Sequence, residues 1–254
     1  LITSLSSTRQ VLSLGDGLNL SVTATGTGVL NYQWVHGGRP IAGATGASYA
    51  ISSSGISDGG WYVVLVTDTK GTRRSAPIFV IMKPSATTSH IVGWGNNSFG
   101  QITVPAGLTN AVAVAANNNE SLALKADGSV VGWGQQAPAP DGLSSVVAIA
   151  VGTFHSVALK ADGTVVSWGD SSYGLSSTAA GLTNVVAVTA GYYYSLALKA
   201  DSTVFAWGDT SSSYHQTEVP AGLTNVVAIA GSNVSSLALT SDGTVVGWGS
   251  NLAG

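Results

Sequence analysis

The residues able to do chemistry are few and scattered. A Gly-x-Ser-x-Gly pattern runs Gly55-Ile56-Ser57-Asp58-Gly59, the spacing that presents a nucleophilic serine where a strand turns into a helix, but no helical pattern follows it and the stretch reads as a turn. The four histidines, His36, His90, His155 and His215, fall in different segments, and the two glutamates, Glu120 and Glu218, stand far apart. Neither a base beside a nucleophile nor a carboxylate pair is therefore written locally. Aspartates recur at Asp127, Asp162, Asp201 and Asp242 without the alternating acidic ligands of a calcium loop, so turn geometry accounts for them better. Cysteine is absent, which removes thiolate metal sites, cysteine nucleophiles and disulfides together. No catalytic residue, metal or cofactor is assigned, and the expectation is a protein that is not an enzyme.

The elements that carry these residues form a repeat. Gly181 to Gly208, GLTNVVAVTAGYYYSLALKADSTVFAWG, has close copies beginning at Gly107, Gly142 and Gly222, and in each the tryptophan of a Trp-Gly pair follows 26 residues after the first glycine. The connectors between copies vary in length, so a fixed core alternates with a tolerant link. Each copy reads as three strands: NVVAVT from Asn184, SLALKA from Ser195 and TVFAWG from Thr203 in the third. Asp-Gly at Asp127, Asp162 and Asp242, replaced by Asp201-Ser202 in one copy, predicts a tight type I′ hairpin between the second and third strands. QITVP from Gln101 and QTEVP from Gln216 are expected to add a short fourth strand whose proline suits an edge. A period of 35 to 41 residues with several strands and a Trp-Gly per unit implies a propeller or a solenoid of small sheets.

Between strands that barely change lies a triplet that changes completely: Asn118-Asn119-Glu120, Thr153-Phe154-His155, Tyr192-Tyr193-Tyr194 and Asn233-Val234-Ser235. One loop position recurring blade after blade places these residues on one face. Their Tyr, Phe, His and Asn content is that of a recognition surface, since tyrosine gives large contact area with few rotors to freeze. The competing expectation is that Tyr192 to Tyr194 simply start a half-buried strand. The candidate binding face comprises Asn118, Asn119, Glu120, Thr153, Phe154, His155, Tyr192, Tyr193, Tyr194 and Asn233.

The first 85 residues differ: short alternating runs broken by Gly, Ser, Asp and Pro predict an antiparallel β-sandwich. Leu20, Val22 and Ala24, then Tyr32 and Trp34, then Tyr62, Val64 and Val66 each mark one buried side of a run. Trp34, the Asp58-x-Gly60-x-Tyr62 corner and the run around Val22 and Val64 resemble the immunoglobulin-like domains of bacterial surface proteins. The resemblance puts Val22 and Val64 where bridging cysteines usually stand, which implies that packing on Trp34 makes up for the missing bridge. KPSATTSH, Lys83 to His90, is a polar linker, giving an immunoglobulin-like sandwich over 1–85, a linker over 86–89 and repeats over 90–254. The later units, with "SLALKADGSVVGWG" from Ser121 and "GLTNVVAIAG" from Gly222, resemble the short bacterial form of regulator-of-chromosome-condensation propeller repeats. That likeness implies an all-β chain with a non-catalytic interaction surface, and usually more blades than the four complete copies here.

A fifth Trp-Gly, in His90-Ile91-Val92-Gly93-Trp94-Gly95, has no preceding copies of the first two strands. It is expected to be a lone last strand, completed by further repeats or by a neighbouring molecule, and so a candidate assembly strand. The chain starts at Leu1 without Met and stops partway through a unit, as a piece of something longer would. Charged residues make up 8% of it against about 25% in an average globular protein, so the surface is Ser, Thr, Asn and Gly. A net charge of −3 with no basic stripe argues against nucleic acid, and no apolar run is long enough for a membrane span. The four sequons, at Asn19, Asn96, Asn119 and Asn233, are what an Asn- and Ser-rich chain produces by chance. These observations point to an extracellular or cell-surface bacterial module that binds a protein or a glycan, or else to a structural subunit that polymerises with itself into a filament or surface layer.

Overall fold

A computed structural model of the chain describes residues 2–83, 90–135, 138–177, 182–210 and 213–250. The fold is all-β, and among the described residues no helix is long and apolar enough to cross a membrane. The expected linker at 86–89 lies outside the described residues.

Nine strands make the sandwich: β1 (Ile2–Leu5), β2 (Arg9–Leu12), β3 (Leu18–Ala24), β4 (Asn31–His36), β5 (Arg39–Pro40), β6 (Ser48–Ile51), β7 (Gly60–Asp68), β8 (Gly71–Arg74) and β9 (Ile78–Met82). One sheet has the order β1-β3-β6 and the other β2-β9-β7-β4-β5 with β8 on β7, the two-sheet arrangement of an immunoglobulin-like sandwich. Alternation in β3 sends Leu18, Leu20 and Val22 into the core, where Val22 and Val64 share one cluster with the fully buried Trp34. The Trp34 indole donates to the Gly46 carbonyl at 3.0 Å, and the Tyr62 hydroxyl donates to the Asp58 carbonyl at 2.9 Å, closing the corner. The expectation of one buried side per run fails for β7, where Val63 is as buried as Val64. The reason lies outside the sandwich: Trp61 and Phe79, on the opposite face of this sheet, pack with Leu198, Val226 and Ala238 of the repeats.

The repeats form four three-stranded antiparallel sheets. They are β10 (Ala111–Asn117), β11 (Glu120–Lys125) and β12 (Val130–Gly134); β13 (Val146–Val151), β14 (His155–Lys160) and β15 (Val165–Gly169); β16 (Val185–Ala190), β17 (Tyr194–Lys199) and β18 (Val204–Gly208); and β19 (Val226–Gly231), β20 (Ser235–Thr240) and β21 (Val245–Gly249). Their register is identical, with Ser121 opposite Trp133, Ser156 opposite Trp168, Ser195 opposite Trp207 and Ser236 opposite Trp248. Each sheet lays its first strand against the sheet before it, as propeller blades do.

Three sequence expectations change. The Asp-Gly hairpins are not type I′: only the second residue has positive φ, at Gly128, Gly163 and Gly243, with Ser202 taking φ +67 in the odd copy. The loop is one residue longer than a type I′ turn allows, with Gly128 N–H bonded to Lys125 C=O and Lys125 N–H to Ser129 C=O, so a type I turn followed by one left-handed residue closes it. The aspartates lock these turns: Asp127 accepts from the Ser129 amide at 2.9 Å and hydroxyl at 2.6 Å, and Asp162 from the Thr164 amide and hydroxyl likewise. The connectors add no fourth strand, because the Gln101 carbonyl is taken by the Ser121 hydroxyl and the Trp133 indole, and the Gln216 carbonyl by Ser236 and Trp248 in the same way. Finally, His90–Gly95 is not a strand. With no second strand to pair with, Val92 and Trp94 stand out into solvent, Trp94 at 83% exposure, while Gly93 rests against Ile102.

Candidate functional site

Antiparallel connection fixes the two ends of every blade. The Asp-Gly turns and the starts of the first strands lie at one end, and the variable triplets and Trp-Gly pairs lie at the other. The sandwich is seated at the turn end, where the Arg9 guanidinium donates to the Val185 carbonyl at 3.1 Å and the Ala161 carbonyl at 2.9 Å. The triplets therefore face away from it.

The third member of each triplet does not belong to a surface. Glu120, His155 and Tyr194 are buried, each reaching across to the serine of the next blade. Glu120 Oε2 accepts from Ser156 Oγ at 2.8 Å, His155 Nε2 lies 2.6 Å from Ser195 Oγ, and the Tyr194 hydroxyl lies 3.0 Å from Ser236 Oγ while donating to the Ser235 carbonyl at 2.5 Å. Burial leaves its mark on all three, raising the Tyr194 hydroxyl as well. The Glu120 carboxyl is pushed up to about 7 by desolvation, against the opposing Ser156 bond, and desolvation lowers the His155 imidazole to about 4. Thr153 is buried as well, its amide donating to the Gly191 carbonyl at 3.3 Å. These four residues are removed from the candidate face.

A signal for this was present in the sequence. Three residues before the two rings stand Gly152 and Gly191, and a Cβ on either would overlap the His155 or Tyr194 ring and the following blade's backbone. Where the third member is not a ring, the same position holds Asn117 or Ser232. The glycine thus marks a side chain that folds back over its own strand.

What remains outside divides into two groups. Phe154, Tyr192 and Tyr193 come together: Phe154 stacks on Tyr193 with centroids 5.1 Å apart, and Tyr192 meets Phe154 edge-on at 5.3 Å and Tyr193 edge-on at 4.3 Å. Tyr173, which sequence reasoning missed because it lies in a variable connector, joins at 4.9 Å from Tyr193. It reaches there through a one-turn 3₁₀ segment (Ser172–Gly174) with its own φ at +58, and it is more than half exposed. Asn118 and Asn119 of the first blade and Asn233 of the fourth flank this cluster; Asn119 Nδ2 donates to Gln135 Oε1 at 2.8 Å, and the Asn233 carbonyl accepts from the Tyr192 amide at 3.1 Å. A four-ring patch drawn from two blades and a connector can stack on flat or apolar ligand surfaces and offer phenol hydroxyls at its rim.

The other chemistry-bearing residues stay dispersed. Ser57 sits on a one-turn 3₁₀ segment (Ile56–Asp58) whose Asp58 carboxylate accepts from the Gly55 amide, and His36 Nε2 lies 3.0 Å from the Gly59 carbonyl while its ring stacks on Tyr62. His215 pairs with Glu218 at 2.7 Å on the surface. Among the described residues no three His, Asp or Glu side chains gather closely enough to hold a metal ion.

Comparison with known proteins gives three findings. A decoration protein of Escherichia phage T5 is 49% identical over 57 residues, which is 22% of this chain, and the chain spans about a third (35%) of that relative's length. Among solved structures, the immunoglobulin domains 1-5 of Sidekick-1 match at 19% identity over 33% of this chain and 18% of that one, and the tandem Ig repeats of Dlar at 21% over 33% and 47%, each with a TM-score of 0.30. Residues 146–175, 185–216 and 226–254, which hold the second, third and fourth sheets, match the model of the regulator of chromosome condensation (RCC1) repeat.

Proposed function

We propose that this chain is a non-catalytic interaction module, displayed outside the cell on a bacterial surface or on a virion, which binds a protein or glycan through the aromatic end of its repeats. In this reading residues 1–85 and 90–254 are its two domains, the first acting as the base on which the second is mounted. The observation that carries it is the Phe154, Tyr173, Tyr192 and Tyr193 cluster, set at the end of the blades opposite the sandwich. Buried rings would be explained by packing alone; a partly exposed cluster of four, drawn from two blades and a connector, is better explained by contact with a partner. The phage decoration relative favours a structural role over a catalytic one. Assembly by strand pairing through His90–Gly95 loses support, since that segment is not a strand.

The test is binding of the purified chain to a glycan array and to intact bacterial cells and phage particles. Wild type is expected to give a signal that the double change Phe154→Ser, Tyr193→Ser lowers by at least about tenfold, equivalent to ~1.4 kcal/mol, with the melting temperature little changed. Equal binding by the double variant, or no binding by wild type to any of these probes, sinks the reading.

A further inference from the structure

At the turn end, the hairpin of one blade and the first strand of the next frame a groove, and the same frame recurs between successive sheets. Between the second and third sheets the Ala161 amide donates to the Ser145 carbonyl at 2.8 Å and the Val185 amide to the Gly163 carbonyl at 3.0 Å. The carbonyls of Ala161 and Val185 themselves then receive the Arg9 guanidinium, through Nη2 at 2.9 Å and Nε at 3.1 Å. Between the first and second sheets the frame is repeated: the Ala126 amide donates to the Asn110 carbonyl at 2.9 Å and the Val146 amide to the Gly128 carbonyl at 3.0 Å. Register agrees as well, with Val146 opposite Lys160 as Val185 is opposite Lys199. A residue's N–H and C=O leave an antiparallel strand on the same side, so Val146 presents its carbonyl to the first groove as Val185 does to the second.

The filling is what differs. Arg9 occupies the second groove, and Phe79 and Trp61 of the sandwich pack on Val226 and its neighbours at the third. The first is an open space of about 220 Å³ lined by Ala126, Asp127, Gly128, Val146, Val147 and Ala161, with the exposed Lys83 contributed by the sandwich. Among the described residues no donor reaches the Ala126 carbonyl. Charge is arranged alike in both: Asp162 favours the charged form of Arg9, Asp127 holds the equivalent place in the first hairpin, and each aspartate has its own lysine, Lys160 and Lys125, nearby.

We propose that the groove between the first and second sheets receives an arginine side chain of a partner protein, its guanidinium bridging the Ala126 and Val146 carbonyls as Arg9 bridges those of Ala161 and Val185. Arginine fits because the frame takes its two hydrogen bonds from two different nitrogens along one edge of a planar fork, whereas a lysine carries all its donors on one nitrogen. The half-buried Val147 and Ala161 give the aliphatic stem an apolar wall to lie on. Lys83 opposes the incoming cation and so tunes the affinity rather than supplying the contact. This site is at the opposite end of the blades from the aromatic cluster and does not depend on that cluster's role.

Amide NMR of the isotopically labelled full chain tests it, with the capped tripeptide Gly-Arg-Gly as probe and Gly-Lys-Gly, Gly-citrulline-Gly and guanidinium chloride compared at matched ionic strength. The arginine peptide is expected to give saturable shifts at Gly128, Val146 and Val147, at least about threefold tighter than the lysine peptide or the bare guanidinium ion, and the neutral citrulline peptide to give none. Lys83→Glu should tighten arginine binding at least about threefold at low salt. Arg9→Ala is the internal control: it vacates the second groove, so the same peptide should now also shift Gly163 and Val185. Shifts at Gly163 and Val185 of that variant with none at Gly128 and Val146 would show that the frame binds arginine but that this copy of it does not, and would overturn the proposal. No shifts in either groove overturn it too, as do citrulline, lysine or guanidinium ion binding as tightly as arginine, or a Lys83→Glu protein with unchanged affinity, which would place the bound cation elsewhere.

Discussion

Glu120 and His155 hold the same position in neighbouring blades, and burial shifts both, but in opposite senses for stability. The Glu120 carboxyl holds its proton to about 7 in the fold, against about 4.5 when unfolded, so the folded state binds the extra proton and stability falls as pH rises through that interval. The His155 ring gives up its proton down to about 4 in the fold, against about 6.5 unfolded, so its contribution is present above 6.5 and is lost as pH falls toward 4. Between about pH 4.5 and 6.5 the two effects oppose and nearly cancel. Separating them is straightforward: relative to wild type, Glu120→Gln should gain stability as pH rises from about 4.5 to 7, and His155→Gln should lose it from about 4 to 6.5. One proton limits either slope to about 1.4 kcal/mol per pH unit. Urea unfolding at half-unit pH steps checks this, and the turn aspartates, lowered by their bonds to Ser and Thr, are common to all three proteins and drop out of the differences. Parallel profiles would show that neither group is titrating inside the blade contacts.

At the level of elements the strands were largely legible and the joints were not. NVVAVT, SLALKA and TVFAWG announce alternating buried positions, and they become β16, β17 and β18 within a residue or two. The turn between the second and third strands was legible in place but not in type, because Asp-Gly serves equally as a two-residue turn and as the end of a longer loop; only the bond from Lys125 to Ser129 decides. The odd copy makes this testable. Ser202 takes the left-handed conformation that glycine takes in the other three, and its hydroxyl is buried without a hydrogen-bond partner. Left-handed backbone costs an ordinary residue ~1 to 2 kcal/mol, of which glycine gives back ~0.5 to 1 through its freer unfolded chain. Ser202→Gly should therefore stabilise by about 0.5 to 1 kcal/mol, read as a higher urea midpoint at unchanged slope. The candidate face was half legible for a related reason: the triplets vary because two jobs are interleaved there, with Phe154, Tyr192 and Tyr193 turned outward and Glu120, His155 and Tyr194 turned into the next blade. A strand that alternates sides divides neighbouring residues in this way, and the eye reads the whole triplet as one surface.

The sandwich and the repeats share packing rather than merely adjoining one another. The first-part sequence gave no sign of this, because Trp61 and Phe79 look like ordinary outward positions until the blades that cover them are in place. Arg9 adds the polar half of the joint, and its guanidinium is lowered from its ordinary value by desolvation, opposed by Asp162. Arg9→Ala should weaken the coupling by about 1 to 2 kcal/mol, after discounting for its partial exposure. In calorimetry a single transition should then broaden or split into two, and an unaltered single transition would show that Arg9 contributes nothing to the joint. The turn end has a further consequence. The amide of Val146 bonds the carbonyl of Gly128, that of Val185 bonds Gly163, and that of Val226 bonds Ser202, so each unit is indexed to the hairpin of the one before it. A duplicated unit would arrive with both of its attachments already encoded, and the array could lengthen or shorten by whole copies during descent without any other residue having to change.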